Sequence, residues 1–267
     1  MSKRAWVTLG ATASVIAVVI GAVVIWLNAT ANLAARDENF ERIQSSGTLR
    51  VGLDASFPPF EFIGDDNAVL GFDADVAREL ARRMNLRVMF VTTGFDALYD
   101  ELTASHYDVI VSGLPYDRLR SQDVGYSDIY FRGGEVLLAR ADVQGIKTLS
   151  DLGGQSIGVE LATSAEVLAK KLERRNGYRT QSYTTLEDAA RALEAGDVRG
   201  VIADAVSARL VRRNHPQLVI VGEPLGDEPN YVIAVPLNSP SLLATINKHL
   251  RAMEKDGTLT RFVDKWF

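Results

Sequence analysis

The sequence predicts an α/β protein of two lobes around a central cleft, carried behind an N-terminal apolar helix. Three observations lead there. From Gly47 onward, short apolar runs alternate with amphipathic helical stretches, the pattern of a mostly parallel sheet flanked by helices. The alternation restarts after Gly133-Gly134, so it describes two units. The segment Met1–Leu27 fits neither: after Lys3 and Arg4 no charged residue occurs until Arg36.

The first unit opens with a strand over 49–53. A helix is predicted over 72–84, where Val76, Leu80 and Met84 recur at i, i+4 and i+8 and Asp73 is placed to cap. A strand over 87–91, a helix over 95–105 and a strand over 109–111 follow. In the second unit, strands are predicted over 135–139, 156–159, 181–183, 200–203, 218–221 and 231–235. Between them lie a turn of helix at 150–153 and helices over 164–174, 185–195 and from 204 to about 214. The helix over 185–195 closes on Gly196. A long helix over 239–255, Gly257 and a short helix to Phe267 end the chain. The closing elements complete the first lobe, which makes it discontinuous: 47–132 and 236–267 form lobe 1, and 133–235 form lobe 2. The chain crosses near 131–135 and again near 231–236.

The run Ala5–Leu27 is long enough to span a bilayer, which needs about 20 apolar residues as helix. The basic start keeps the N-terminus cytoplasmic and exports the rest. Two readings stay open. Ala29-Thr30-Ala31 fits the cleavage site of a signal peptide, while the length of the run fits an uncleaved signal anchor. Either way residues 1–31 are an export segment, 32–46 a linker, and the working body is extracytoplasmic. Losing 1–31 removes Lys3 and Arg4 and no acid, so the body is more acidic than the formal net charge of −5.

Composition excludes several classes. Cysteine is absent, which rules out a disulfide scaffold, Cys-based zinc or iron–sulfur sites, and lipidation of an N-terminal cysteine. A hydrophobic fraction of 47% rules out a disordered chain, and the acidic balance rules out wholesale nucleic-acid binding. His106, His215 and His249 are scattered without metal spacing and read as surface residues. There is no Walker A loop or G-x-G-x-x-G, and Gly154-Gln155-Ser156-Ile157-Gly158, which has the G-x-S-x-G spacing, runs into the predicted strand over 156–159 and not into a strand-to-helix elbow. An exported two-lobed α/β protein without catalytic motifs points to ligand binding at the carboxyl ends of its strands, with no cofactor.

Five stretches carry a specific resemblance. Gly47–Phe62 ends in Phe57-Pro58-Pro59-Phe60-Glu61-Phe62. Leu70-Gly71-Phe72-Asp73-Ala74-Asp75 follows, then Phe95-Asp96-Ala97-Leu98 with Tyr107-Asp108-Val109-Ile110-Val111-Ser112-Gly113-Leu114. Arg120 precedes Tyr126-Ser127-Asp128-Ile129-Tyr130, and Lys255-Asp256-Gly257-Thr258-Leu259 leads to Lys265-Trp266-Phe267. Together, over 46–267, the chain resembles the extracytoplasmic solute-binding proteins, family 3, of polar amino-acid ABC transporters. The resemblance implies the periplasmic-binding-protein-like (type II) fold and a monomer that holds an amino acid between its lobes. It would deliver that ligand to an ABC permease and ATPase.

The resemblance also assigns roles. Arg120 aligns with the arginine that grips the ligand α-carboxylate, work suited to a planar fork of donors. Asp204 aligns with the acid for the α-ammonium, and equally suits a helix cap. Ser164 aligns with a helix N-terminus whose N–H meets the carboxylate, with Thr163 able to cap. Gly113 aligns with a position offering backbone groups. Phe57 and Phe95 align with aromatic walls for the ligand side chain, though Phe95 also reads as core. Phe60 and Phe62 are assigned to packing. Asp54, Asp73 and Glu160 could reach a ligand side chain; Asp73 also reads as a cap, and only Glu160 leans toward a basic ligand. Three positions depart from the family pattern: Pro115 and Asp117 stand where Ser or Thr and then Thr are usual, and Ala162 where Gly is common.

Two other classes remain. The same scaffold carries cyclohexadienyl dehydratases, for which Glu160 or Asp54 would be the general acid. A sensor or murein-cleaving protein would continue past Phe267 into further domains.

Overall fold

The structure, a computed structural model, describes residues 37–226 and 230–267. The expected apolar helix at 5–27 and the export reading of 1–31 lie outside them. Among the described residues no helix is long and apolar enough to cross a membrane. The stretch 32–46, expected only to connect, contains helix α1, Glu38–Ser46. Asp37 caps it by accepting from the Phe40 N–H, and its other oxygen accepts from Ser241 and Leu242 in the last long helix. Ile43 is fully buried, so α1 is docked on the body.

The chain then forms β1 (Thr48–Leu53), a small antiparallel sheet of β2 (Ser56–Phe57), β3 (Glu61–Ile63) and β4 (Val69–Leu70), and α2 (Phe72–Arg83). After β5 (Arg87–Thr92), the segment expected as one helix is a 3-10 turn, Phe95–Ala97, running into the short α3 (Leu98–Thr103). Next come β6 (Val109–Ile110), β7 (Val124–Tyr126) and the crossing strand β8 (Phe131–Arg132). Lobe 2 follows with β9 (Glu135–Arg140), β10 (Ser156–Glu160), α4 (Ser164–Asn176), β11 (Arg179–Tyr183), α5 (Leu186–Ala195), β12 (Gly200–Asp204), α6 (Ala205–Arg212) and β13 (Leu218–Leu225). The chain returns through β14 (Asn230–Tyr231) to β15 (Ala234–Pro236), α7 (Pro240–Lys255) and α8 (Thr258–Trp266).

Two five-stranded sheets result, ordered β5-β1-β6-β15-β7 and β11-β10-β12-β9-β13. Both are mixed, where a mostly parallel sheet was expected. β1 runs parallel to β5 and β6, and β10 parallel to β11 and β12. β15 and β9 run antiparallel to their neighbours. The reason is the crossovers. Glu135 pairs with Asp204 at the carboxyl end of β12, and Ala234 with Ile110 at the carboxyl end of β6. A strand that enters a lobe there must run away from that edge.

The cores differ in kind. Lobe 1 is aromatic: the Phe60 ring lies 5.0–6.0 Å from those of Phe72, Phe131, Tyr231 and Phe267, and Phe131 stacks on Tyr231 at 5.6 Å. Such rings contribute beyond their buried area when packed edge to face. Lobe 2 is aliphatic and small, with Ala189, Ala190, Val201, Ala203 and Ala208 around Leu138 and Leu193.

Two expectations are overturned. Asp73 does not cap α2: Gly71 is the N-cap residue and supplies no side-chain bond, and Asp73 is buried one position inside the helix. His215 is no surface residue. Only 5% of it is exposed, and its Nδ1 lies 2.7 Å from Glu194 and its Nε2 3.2 Å from Glu187.

Candidate ligand-binding cleft

Each lobe gathers its candidate residues at the carboxyl ends of parallel strands, where an open α/β sheet presents its loops. In lobe 1 the strands are β1 and β6. Asp54 directly follows β1, and its N–H donates to Ser112 Oγ, just past β6, at 2.9 Å. Its carboxylate accepts from Ser56 Oγ at 2.7 Å and from the Phe95 N–H at 3.1 Å. Asp54 therefore fixes the start of the turn that carries Phe95.

Phe57 and Phe95 are both about half exposed, at 45% and 44%, so neither is core. Phe57 stacks on the buried Phe60 at 5.1 Å with an interplanar angle of 10°. Its ring lies over Gly113, which has a φ of +46°; a Cβ there would meet the ring at 2.9 Å. Only glycine satisfies both demands. The Gly113 N–H, expected to be open to a ligand, donates inward to Asp73. Asp54, Phe57 and Phe95 thus stand at this end of lobe 1, with Gly113 and Phe60 buried beneath Phe57 and Phe62 packed edge-on against Trp266 at the side.

Arg120 ends a 3-10 turn, Arg118–Arg120, started by Asp117, whose carboxylate accepts from the Leu119 N–H. The guanidinium lies 5.1 Å above the Tyr99 ring, four residues beyond Phe95. It is exposed, and no ion pair joins it to the described residues, so its donors face solvent. The departures at Pro115 and Asp117 have local accounts. Leu114 accepts from the Val232 N–H and the Tyr116 N–H donates to Asn230, so the ladder along β14 skips the residue that lacks an N–H. Asp117 serves as the cap of its own turn.

In lobe 2 the strands are β10 and β12. Thr163 caps α4, accepting from the Glu166 N–H while donating to the Glu160 carbonyl at 2.7 Å. Ser164 is the first residue of α4. Asp204 caps α6: Oδ1 accepts from Val206 at 3.1 Å and Ser207 at 2.9 Å. The cap leaves Oδ2 without a hydrogen bond from the described residues. Glu160, Thr163, Ser164 and Asp204 line one small concavity. Ala162 adopts the left-handed conformation at φ 61°, held by its N–H donating to Glu166 Oε2 at 2.8 Å. Glu166 is itself buried against Lys170 and Ser182. Those bonds hold its carboxyl at about 2, below the ordinary carboxylate range.

The lobes meet behind this surface. Val206, two residues past Asp204, packs on the lobe 1 core, and Arg209 lies 5.2 Å over the Phe131 ring. Burial, followed by the charges of Asp73 and Asp204, raises the Tyr231 hydroxyl above its usual range. Asp204 therefore stands at the hinge end of the cleft.

Asp73 does not join the site. It is wholly buried and accepts from Gly113 N–H and from the Tyr130 hydroxyl. The functional group that sequence reasoning passes over is its neighbour Glu61, also wholly buried. The one local signal was a carboxylate inside the apolar run Phe57–Phe62. Among the described residues no cluster of His, Cys, Asp and Glu could hold a metal ion.

A sequence profile of the bacterial extracellular solute-binding proteins, family 3, matches residues 49–267. ABC transporter arginine-binding protein 1 of Escherichia coli is 32% identical over 224 residues, covering 82% of this chain and 90% of that protein. The L-cystine-binding protein TcyJ of Escherichia coli is 28% identical over 228 residues, 85% of each chain. Among solved structures, an ancestral cyclohexadienyl dehydratase superposes with a TM-score of 0.74 at 27% identity, covering 84% of this chain and 94% of that one.

Proposed function

This chain belongs to the bacterial extracellular solute-binding proteins of family 3, and from that premise we propose that it is the substrate-binding component of an ABC transporter for a basic amino acid. The ligand sits between the lobes. Arg120 grips its α-carboxylate with two parallel charge-assisted bonds, with the N-terminus of α4 at Ser164 as a second anion site. The free Oδ2 of Asp204 takes the α-ammonium. Phe57 and Phe95 wall the aliphatic stem, and Glu160 and Asp54 attract a cationic tip.

The observation that carries this reading is the pairing of two half-sites, each at the carboxyl ends of its lobe's parallel strands. One carries Asp54, Phe57 and Phe95 above the buried Gly113, the other is lined by Glu160, Thr163, Ser164 and Asp204. A ligand that touches both halves favours the closed arrangement by its extra contacts there. The closed form is what the permease receives. Residues 1–31 export the body and, where uncleaved, keep it at the membrane. The arginine relative supports the basic ligand; the cystine relative marks the polar neutral alternative.

Calorimetric titration with L-arginine, L-lysine, L-histidine, L-glutamine and L-cystine tests it. A basic amino acid is expected to bind tightest, and Arg120→Ala to abolish that binding. Binding of none of them removes the amino-acid assignment, and binding of cystine or glutamine alone moves the ligand class.

The dehydratase neighbour supplies a second reading, an enzyme on the same scaffold. A dehydratase needs a proton-bearing carboxyl that touches substrate. The acids most strongly raised by burial, Glu61 and Asp73, lie under the cleft floor and cannot reach one. Consumption of prephenate or arogenate by the purified protein would favour the enzyme.

A further inference from the structure

Beneath the lobe 1 half of the cleft lie two carboxyl groups that ligand contact does not use. Glu61, on β3, and Asp73, in the first turn of α2, are both 0% exposed. Their hydrogen bonds are unequal. Asp73 Oδ2 accepts from the Gly113 N–H, and both its oxygens lie 2.9 Å from the Tyr130 hydroxyl. Glu61 Oε1 accepts from Ser112 Oγ at 2.7 Å, and Ser112 Oγ accepts in turn from the Asp54 N–H. Glu61 Oε2, equally buried, has no partner among ordinary donors.

Two ionised carboxylates side by side in a dry site are strongly unfavourable. The groups that face them are Asp54 beyond β1, Ser112 beyond β6, Tyr130 before β8 and Tyr231 on β14, none of them cationic. No Lys or Arg of the described residues bonds either carboxyl. One proton on Glu61 Oε2 resolves both faults: it gives the orphan oxygen a bond to make, and it leaves one charge, on the acid that already collects donors.

We propose that Glu61 is a proton-holding positioning residue: its carboxyl donates to Asp73, and the pair clamps the cleft loop at Gly113 to the hinge segment at Tyr130. Burial, and after it the Asp73 charge, pushes the Glu61 carboxyl far up. Asp73 is also raised by burial, but the bonds from Glu61, Gly113 and Tyr130 pull it back. The clamp joins residues from five separate places in the chain. It sets where Gly113 sits under Phe57, and so the shape of the surface the ligand meets. The effect on binding rests on the amino-acid reading above; the shared proton does not.

Infrared difference spectroscopy and calorimetry with L-arginine test it on the wild type, Glu61→Gln and Glu61→Leu. The wild type should show a protonated-carboxyl band at neutral pH that Glu61→Gln removes. Gln keeps a donor for Asp73 and an acceptor for Ser112, so L-arginine affinity should stay within about threefold. Leu keeps neither, and affinity should fall about tenfold or more with the circular-dichroism spectrum unchanged. Absence of the band, equal weakness of both variants, or full affinity in Glu61→Leu overturns the proposal. If Glu61→Leu fails to fold, the band and Glu61→Gln decide. If L-arginine does not bind the wild type, the basic-ligand reading fails while the infrared result still decides the proton.

Discussion

Lobe 1 and lobe 2 present the same kind of surface at the ends of their strands, yet they build it in opposite ways. Lobe 1 sets its loops from below: an aromatic core supports Phe57, and a buried polar network of Asp54, Ser112, Glu61, Asp73 and Tyr130 ties the loops together. Lobe 2 sets its half from the side, through helix caps on an aliphatic sheet. Thr163 and Asp204 each cap a helix N-terminus; the Thr163 hydroxyl also ties back to the Glu160 carbonyl, while Asp204 leaves Oδ2 without a bond from the described residues. A network resists local change because its members share partners. Caps are independent, so each can change without disturbing the other.

The sharpest way to break this contrast is in the cores. Phe60→Ala should cost about 3–5 kcal/mol of unfolding free energy, because five rings meet at that side chain. Ile202→Val in lobe 2 should cost about 1 kcal/mol. Urea denaturation measures both, and equal costs would erase the distinction.

The next test separates cap from ligand contact. Asparagine caps a helix as well as aspartate. Asp204→Asn should therefore keep the thermal midpoint while L-arginine affinity falls about ten- to a hundredfold, as expected on losing a charged hydrogen bond of roughly 1.5–3 kcal/mol. A fall in midpoint without loss of affinity would make Asp204 a cap alone.

A third effect is a pH dependence confined to lobe 2. Burial alone would lower the His215 imidazole, but bonds to Glu194 and Glu187 outweigh it, and the net shift is upward from 6.5. The same pairing lowers Glu187. A raised base contributes its full stability below its ordinary pKa and loses it as pH climbs through the raised value. The stability difference between the wild type and His215→Gln should thus be largest in mild acid and shrink above neutrality. A constant difference would mean that His215 acts by packing only.

The smallest effect concerns Ala162. A left-handed alanine costs roughly 1–2 kcal/mol, and glycine returns part of that gain as unfolded-chain entropy. Ala162→Gly should stabilise by up to about 1 kcal/mol, read from the same denaturation curves.

The elements of the fold were legible because their signals are local. Thr185, the apolar stripe and Gly196 mark helix α5 within a dozen residues, and Gly196 closes it in the left-handed conformation as expected. The lobe 2 candidates, three of them caps or next to caps, share a concavity for the same reason. The lobe 1 network was not legible. Ser112 lies 51 residues from Glu61, Gly113 40 from Asp73 and Tyr130 57 from Asp73, so no window of sequence holds them together. Asp73 at the start of a helix pattern looks like a cap until tertiary contact claims it. His215 likewise meets two acids that lie on a different helix.

The stacked pair Phe131 and Tyr231 gives the joint between lobes an unequal build. Both rings are set in the lobe 1 core, so the lobe 1 end of each crossing strand is anchored there. Past them come Gly133 and Gly134, the second at φ 74°, and the Gly134 carbonyl is already tied to Ala205 of lobe 2. A door hung this way has a fixed jamb and a swinging leaf. A closure of the kind proposed above would then be taken up on the lobe 2 side of Phe131 and Tyr231, and whatever reads the closed state from outside would read it as a change in the bearing of lobe 2 against lobe 1.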